Sequence, residues 1–495
     1  MKLKVKFLKW EAGLPVAMLH FKTADKLGVR YQGNISIKTL STHPKEMVSI
    51  IDTIDGPYVK ESEILVSTEI KTAMNLKKGQ NLDINLSPAS ESLNFIKKKI
   101  NGSVLSKDEI NLIIKDIVRN SLSEAEIAFF VAAMYREGMS KSETINMIEA
   151  MLKYGNKFKI KGKYVVDKHS IGGVAGNRTT PIVVSICAAA GLIFPKTSSR
   201  AITSAAGTAD VVETIADVDF SEKDLKRIIS KTGAFMVWGG SLGMVPADEK
   251  IIKVEKELRI DPKSQLLASI MSKKFAVGSK YILIDIPFGK SVKVNKEKAI
   301  ELKKEFEFLG RHFGKKIKCV MTDGNQPIGN GVGPALELND IINVLDPKKK
   351  SPLDLEKKSL FLAGEIFEMT GKAKRNLGVR LAEKILYSGK AFEKFKQIIK
   401  AQNGNLNKLK RTAKLKKDVF CTSNSTISEI DNKKINSLAR ITGCPVDKFS
   451  GLYLYYHVGD RVLKGKKLMT IYSETPSRLN QAIKFYHNEK PIKFK

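Results

Sequence analysis

Asp167-Lys168-His169-Ser170-Ile171-Gly172-Gly173-Val174-Ala175-Gly176-Asn177-Arg178-Thr179-Thr180-Pro181 is the stretch on which the reading of this chain turns. The apolar run Tyr164 to Val166 before it reads as a short buried strand and Ile182 to Leu192 after it as a buried helix, so the stretch is the turn between them. Three glycines let the backbone approach a ligand closely. Thr179 or Thr180 can cap the helix, Pro181 suits its first turn, and the N–H groups there, with the helix dipole, favour an anion. Lys168 and Ser170 add a charge and a hydroxyl. Tight packing alone also produces glycine-rich turns after strands, so this turn by itself does not decide for phosphate.

The second loop decides. After a short strand at Leu192 to Phe194 comes Lys196-Thr197-Ser198-Ser199-Arg200-Ala201-Ile202-Thr203-Ser204-Ala205-Ala206-Gly207-Thr208-Ala209-Asp210, rich in hydroxyls around one arginine. Successive parallel strands send their following loops to the same edge of a sheet, which places both loops on one crevice. Two anion-friendly loops there imply a substrate with more than one phosphate, or a phosphate beside a phosphorylated sugar. Helix capping accounts for one or two of the hydroxyls but not for all of them.

Lys168-His169-Ser170 with Gly172-Gly173, then Ser198 to Thr208, Pro246-Ala247-Asp248, Ala268-Ser269-Ile270-Met271-Ser272-Lys273-Lys274 and Thr322-Asp323-Gly324-Asn325-Gln326 form an ordered set that resembles the thymidine and pyrimidine-nucleoside phosphorylase family. Within that family the chain looks most like the archaeal AMP phosphorylases, which carry Ser199 to Ser204 in place of a glycine-rich second loop and an extra N-terminal domain. The resemblance covers residues from about 88 to the C-terminus. It implies phosphorolysis of nucleoside 5′-monophosphates, AMP and also CMP and UMP, to a free base and ribose 1,5-bisphosphate. Inorganic phosphate is then a co-substrate, and no metal or organic cofactor is implied. By the same resemblance Lys168, Ser170, Thr179, Ser198 and Thr208 hold phosphate. Gly173, the run Ser199, Arg200, Ala201, Ile202, Thr203 and Ser204, then Thr208, Ser269 and Lys293 contact the nucleotide. Asp261, in Arg259-Ile260-Asp261-Pro262, is implied as the proton donor to the leaving base; read as a residue alone, an Asp before Pro is also an ordinary helix cap.

One position departs from the family. The arginine with which thymidine phosphorylases read the base falls, by its spacing to Ser269, on Val254. With that arginine missing and Arg200 in a loop suited to a second phosphate, a 5′-monophosphate is favoured over a free nucleoside. A pyrimidine-nucleoside phosphorylase is the alternative of the same class. His169 stands open between substrate contact and loop packing. The family further implies dimers, assembled into a larger multimer through the added N-terminal domain.

At 495 residues the chain exceeds one ordinary core. Its formal net charge of +33 comes mostly from lysines spread along the sequence, which fits anionic small substrates drawn to a solvated surface. A basic RNA-binding protein is the reading from another class, but zinc-ligand spacing and aromatic residues interleaved with basic ones are both missing. No nucleic-acid partner is therefore expected. Cys187, Cys319, Cys421 and Cys444 are far apart, as in a reducing cytoplasm. The apolar stretch Pro181 to Pro195 is too short for a membrane span, so a soluble cytoplasmic protein is expected.

The expected fold class is multi-domain α/β: a small N-terminal β-barrel, a helical α domain, a large mixed α/β domain and a β-rich C-terminal hybrid domain. Residues 1–86 form the barrel, with an internal echo between Ala24-Asp25-Lys26-Leu27 and Ala73-Met74-Asn75-Leu76. The helical domain takes 87–158, rejoined by about 246–277; the α/β domain takes 159–245 and 278–402; the C-terminal domain takes 403–495. Strands are expected at Ala234 to Trp238, Tyr281 to Ile286 and Lys316 to Met321, and amphipathic helices at Leu353 to Glu368 and Leu377 to Gln402.

Overall fold

The computed structural model describes residues 1–7, 11–12, 15–29, 33–87, 90–156, 158–201, 204–240, 243–411 and 413–495. Strands β1 (Lys2–Phe7), β2 (Val16–His20), β3 (Asn34–Thr39), β4 (Glu46–Ile54), β5 (Glu63–Val66) and β6 (Asn81–Leu86) close a barrel in the order β1-β5-β2-β4-β3-β6. Their alternation puts Leu3, Val5, Ile35, Ile37, Leu82 and Ile84 into one buried core. The echo in the sequence is an echo in structure. Helix α1 (Phe21–Leu27) ends at left-handed Gly28 and leads to β3; α2 (Thr68–Met74) ends at left-handed Asn75 and leads to β6. β3 and β6 then pair antiparallel, while β1 with β5 and β2 with β4 are the two parallel pairs.

Four helices follow: α3 (Ser92–Ile100), α4 (Lys107–Arg119), α5 (Glu124–Glu137) and α6 (Lys141–Lys153). The last three start on capping boxes, Ser106 with Glu109, Ser123 with Glu126 and Ser140 with Glu143. Each box satisfies two orphan N–H groups at the helix start and fixes where the helix begins. Glu143 also takes the buried Lys99 ammonium at 2.9 Å.

The α/β region starts with β7 (Val166–Ser170), α7 (Thr179–Ala189), β8 (Phe194–Ser198), α8 (Thr208–Glu213), α9 (Glu222–Thr232) and β9 (Ala234–Trp238). Helices α10 (Pro246–Leu258) and α11 (Lys263–Ala276) come next, then β10 (Tyr281–Phe288), α12 (Lys296–His312) and β11 (Lys316–Asp323). By its contacts the chain divides into Met1–Gly155 with Val245–Ser272, and Asn156–Met244 with Lys273–Lys495. The first unit holds the barrel and the helices, where α10 packs on α4 and α5.

In the second unit β7, β10 and β11 form one parallel ladder, and β8 pairs with β9 in another. A parallel bridge between Val165 and Ile193 joins the two. Helix α7, buried from Thr179 to Ala188, packs against α14 (Leu353–Thr370) and α16 (Lys390–Ala401), which follow β12 (Gly331–Val332) and α13 (Pro334–Leu345) and flank α15 (Gly378–Tyr387).

The C-terminal region contains β13 (Leu415–Phe420), β14 (Ser425–Ile430), α17 (Asn432–Ile441), β15 (Gly451–Leu454), β16 (Arg461–Val462), β17 (Lys467–Ser473), α18 (Pro476–Glu489) and β18 (Ile492–Phe494). Two small sheets, β12-β15-β17-β13 and β16-β14-β18, enclose their own core. The multi-domain α/β class with a barrel in front is thus the observed one. No helix among the described residues is long and apolar enough to cross a membrane.

Candidate active site

Lys168, His169 and Ser170 are strand residues, which corrects the expectation that β7 stops at Val166. The β10 ladder carries on, with Leu283 opposite Lys168 and Asp285 opposite Ser170, so paired hydrogen bonds outweigh the polar sequence. The turn proper begins at Ile171. Gly172, Gly173 and Gly176 all have positive φ. A Cβ on Gly173 would stand 2.9 Å from the Lys293 backbone nitrogen, and one on Gly176 would stand 2.3 Å from the Ile328 carbonyl oxygen, so close packing claims these glycines as well.

Capping by Thr179 or Thr180 is also corrected, because Arg178 holds the N-cap position of α7 and makes no side-chain cap bond. The Thr179 hydroxyl instead accepts from Lys168 Nζ at 2.8 Å, with Thr180 at 3.4 Å. Lys168 is fully buried. Burial pushes its ammonium down to about 8; Asp285 opposes the drop, and Lys358 and Arg178 add to it. Asp285 is itself taken by the Thr322 hydroxyl at 2.6 Å and the Lys358 ammonium at 3.2 Å. Burial raises its carboxyl, but Lys358 and Lys168 outweigh burial and leave it low. Behind β7, Asp167 pairs with Lys274 at 2.9 Å and Lys196 at 3.4 Å, and burial holds the Lys196 ammonium far below its ordinary range. His169 stands among these lysines. Burial first, then Lys274 and Lys196, holds its imidazole neutral.

The second loop is tied to the first by a residue that sequence reasoning quoted but did not weigh. Arg178 donates to the Ala206 carbonyl at 2.6 Å and the Thr208 hydroxyl at 3.3 Å, while Glu337 accepts from its Nε at 2.5 Å. Asp210 folds the loop back on itself by accepting from the Ala201 and Gly207 N–H groups, both at 2.8 Å. The Ser198 and Thr197 hydroxyls are buried without a protein hydrogen-bond partner. Arg200 is half-exposed over the Trp238 ring, its guanidinium shared between Glu213 at 2.6 Å and Asp210 at 3.3 Å. Both carboxylates make charge-assisted bonds to the guanidinium.

The second unit therefore brings Lys168, Ser170 and Ser198 onto β7 and β8, Gly173, Thr179 and Thr208 into the first loop and the starts of α7 and α8, and Lys293 onto the loop after β10. Ser199, exposed, and Ala201 and Ser204, half-buried, lie in the second loop, while Ile202 and Thr203 fall outside the described residues. Asp261 and Ser269 belong to the first unit. Asp261 is exposed just before α11, where the Pro262 carbonyl accepts the Leu266 N–H at 2.9 Å. Ser269 is half-buried within α11, and Val254, in the arginine's place, is buried in α10.

Family models match three segments: the helical bundle domain of a glycosyl transferase family at 93–155, its a/b domain at 162–392, and the pyrimidine nucleoside phosphorylase C-terminal domain at 426–493. The chain is 47% identical over 463 residues to an AMP phosphorylase of Pyrococcus abyssi, covering 91% of this chain and 92% of that one. An AMP phosphorylase of Pyrococcus horikoshii is 43% identical over 497 residues, covering 100% and 98%. The chain belongs to the AMP phosphorylase branch of the thymidine and pyrimidine-nucleoside phosphorylase family. The likeness read from residue 88 onward thus extends through the N-terminal barrel. A putative thymidine phosphorylase of Legionella pneumophila is 37% identical, covering 94% of this chain and 89% of its own. Among solved structures, anthranilate phosphoribosyltransferase from Thermus thermophilus aligns with a TM-score of 0.53 at 20% identity, over 62% of this chain and 99% of that one, which places the fold.

Proposed function

We propose that this phosphorylase takes AMP, and CMP and UMP with it, and moves the ribose 5-phosphate from the base to inorganic phosphate. The observation that carries this reading is the pair of anion-friendly loops locked together by Arg178 beside the buried Lys168. Lys168, Ser170, Thr179, Ser198 and Thr208 hold inorganic phosphate on one face of the sugar. Its oxygen bonds to the anomeric carbon as the bond to the base breaks, and the phosphate charge offsets the positive charge developing on the sugar. The products are the free base and ribose 1,5-bisphosphate.

Asp261 gives the departing base its proton, which its carboxyl holds near neutral pH only when the bound base desolvates it; the neutral imidazole of His169 lacks the ionic proton of an imidazolium. Gly173, Ser199 to Ser204, Thr208, Ser269 and Lys293 hold the nucleotide. Arg200 serves its 5′-phosphate by exchanging Glu213 for the phosphate oxygens. No metal or organic cofactor takes part. The working form is a cytoplasmic assembly of dimers joined through the N-terminal barrel.

The test is turnover of AMP, CMP, UMP and their nucleosides, each with and without inorganic phosphate. Phosphate-dependent turnover of the monophosphates is the expected result. Turnover confined to nucleosides would make the chain a pyrimidine-nucleoside phosphorylase instead.

Lys168 also sets a pH dependence. Its folded pKa of about 8 lies below the unfolded 10.5, so its charged form burdens the folded state below pH 8 and its contribution to stability rises from pH 8 to 10.5. Phosphate binding runs the other way, because it needs the ammonium. We expect kcat/KM for phosphate to fall about tenfold per pH unit above about 8. A profile that stays flat well beyond that pH removes Lys168 from the phosphate site.

A further inference from the structure

Helix α17 lies in the C-terminal region, yet one of its faces points at the loops of the α/β region. Asn432, Asn436 and Arg440 follow one another at helical spacing on that face, and both asparagines are buried. The Asn432 side-chain oxygen accepts from the Ala175 N–H of the first loop at 2.9 Å. Its amide nitrogen donates to the Gly324 carbonyl at 2.9 Å, and its backbone N–H donates to the Ser291 hydroxyl at 3.0 Å. These two partners sit on the loops after β11 and β10. One turn on, the Asn436 oxygen accepts from the Ala205 N–H of the second loop at 2.9 Å. A further turn on, Arg440 donates to the Ser204 carbonyl at 3.0 and 3.3 Å. One rigid helix face thus holds four loops that leave the same edge of the α/β region.

We propose that α17 is the positioning element of the site, with Asn432 and Asn436 setting the two anion loops in register; this rests on the phosphate role given to those loops above. The first loop has three glycines at positive φ and little stiffness of its own. The second is long and turns on a helix of only six residues. Beyond the Arg178 and Asp210 bonds, both loops are anchored by acceptors on this outside helix, and a misplacement of about 1 Å in such a site costs on the order of 100-fold in rate. The C-terminal domain therefore belongs to the catalytic apparatus without touching substrate.

The test substitutes Asn436→Leu, close in volume but without the acceptor, with Ser437→Ala on the exposed face of the same helix as control. Affinity for inorganic phosphate alone and for AMP alone is measured by calorimetry, and kcat and KM by phosphorolysis. Asn436→Leu should weaken phosphate about 10- to 100-fold and raise both KM values more than it lowers kcat. Hydrogen exchange at the Ala205 amide should quicken while exchange in α7 stays slow. Unchanged phosphate affinity in a folded Asn436→Leu protein overturns the proposal. Arg440 is exposed, so Arg440→Ala keeps the question decidable if Asn436→Leu does not fold; it should weaken phosphate severalfold, and no weakening counts against the helix. A wild-type chain that binds phosphate but does not cleave AMP sinks the function proposed above, and leaves α17 to be judged on phosphate affinity alone.

Discussion

Asp261→Asn should lower AMP turnover about 10²- to 10⁴-fold with affinity for AMP nearly unchanged. The amide keeps the shape of the carboxyl but has no acidic proton to give the departing base. The isosteric amide also keeps an acceptor oxygen beside the start of α11, where the Pro262 carbonyl accepts the Leu266 N–H. Steady-state phosphorolysis paired with calorimetric AMP binding checks both halves. Near-full turnover in the variant would strip Asp261 of the donor role and return the question to His169, whose imidazole is held neutral by burial and by its lysine neighbours.

Glu337→Ala should cost about 3 to 5 kcal/mol of stability, because it leaves the Arg178 guanidinium buried with its charge uncompensated. Burial raises the Glu337 carboxyl more than Arg178 lowers it, so the charged pair is itself expensive to keep inside. The double variant Glu337→Leu with Arg178→Met should then recover most of the lost stability, since apolar replacements of buried pairs are often neutral or better. It should not recover phosphate binding, because Ala206 and Thr208 lose the arginine that fixes them. Thermal melting and phosphate calorimetry on both variants separate these outcomes. A Glu337→Ala protein that melts like the wild type refutes the argument.

The strands show what a single sequence makes legible. Ala234 to Trp238 was readable in full because its apolar run and its ladder with β8 end together. β10 and β11 run two residues beyond their apolar runs, where Pro287 with Thr322 and Phe288 with Asp323 continue the ladder. The same effect hid Lys168, His169 and Ser170 inside a strand, since pairing with β10 leaves no trace in the pattern of β7. Residue types in the two loops were readable because glycine, lysine and hydroxyl side chains stand out locally. Their partners were not. Glu337 stands 159 positions from Arg178, and Asn432 stands 257 from Ala175. No periodicity links residues so far apart, and an asparagine on a helix looks the same whether it faces water or a loop.

The order of strands in the barrel also governs how the domain can be made. Of the six barrel strands β1 is made before the others, yet its neighbours are β5 and β6, the last two. It must wait unpaired until Glu63 to Leu86 have been synthesised, so the barrel closes in one late, long-range step and not by stacking hairpins as they emerge. A waiting strand is a template for unwanted pairing with other chains. Lys2, Lys4 and Lys6 alternate with Leu3, Val5 and Phe7 along β1, and every second side chain of the waiting strand is therefore a cation. Charges spaced along an unpaired strand in this way discourage such pairing.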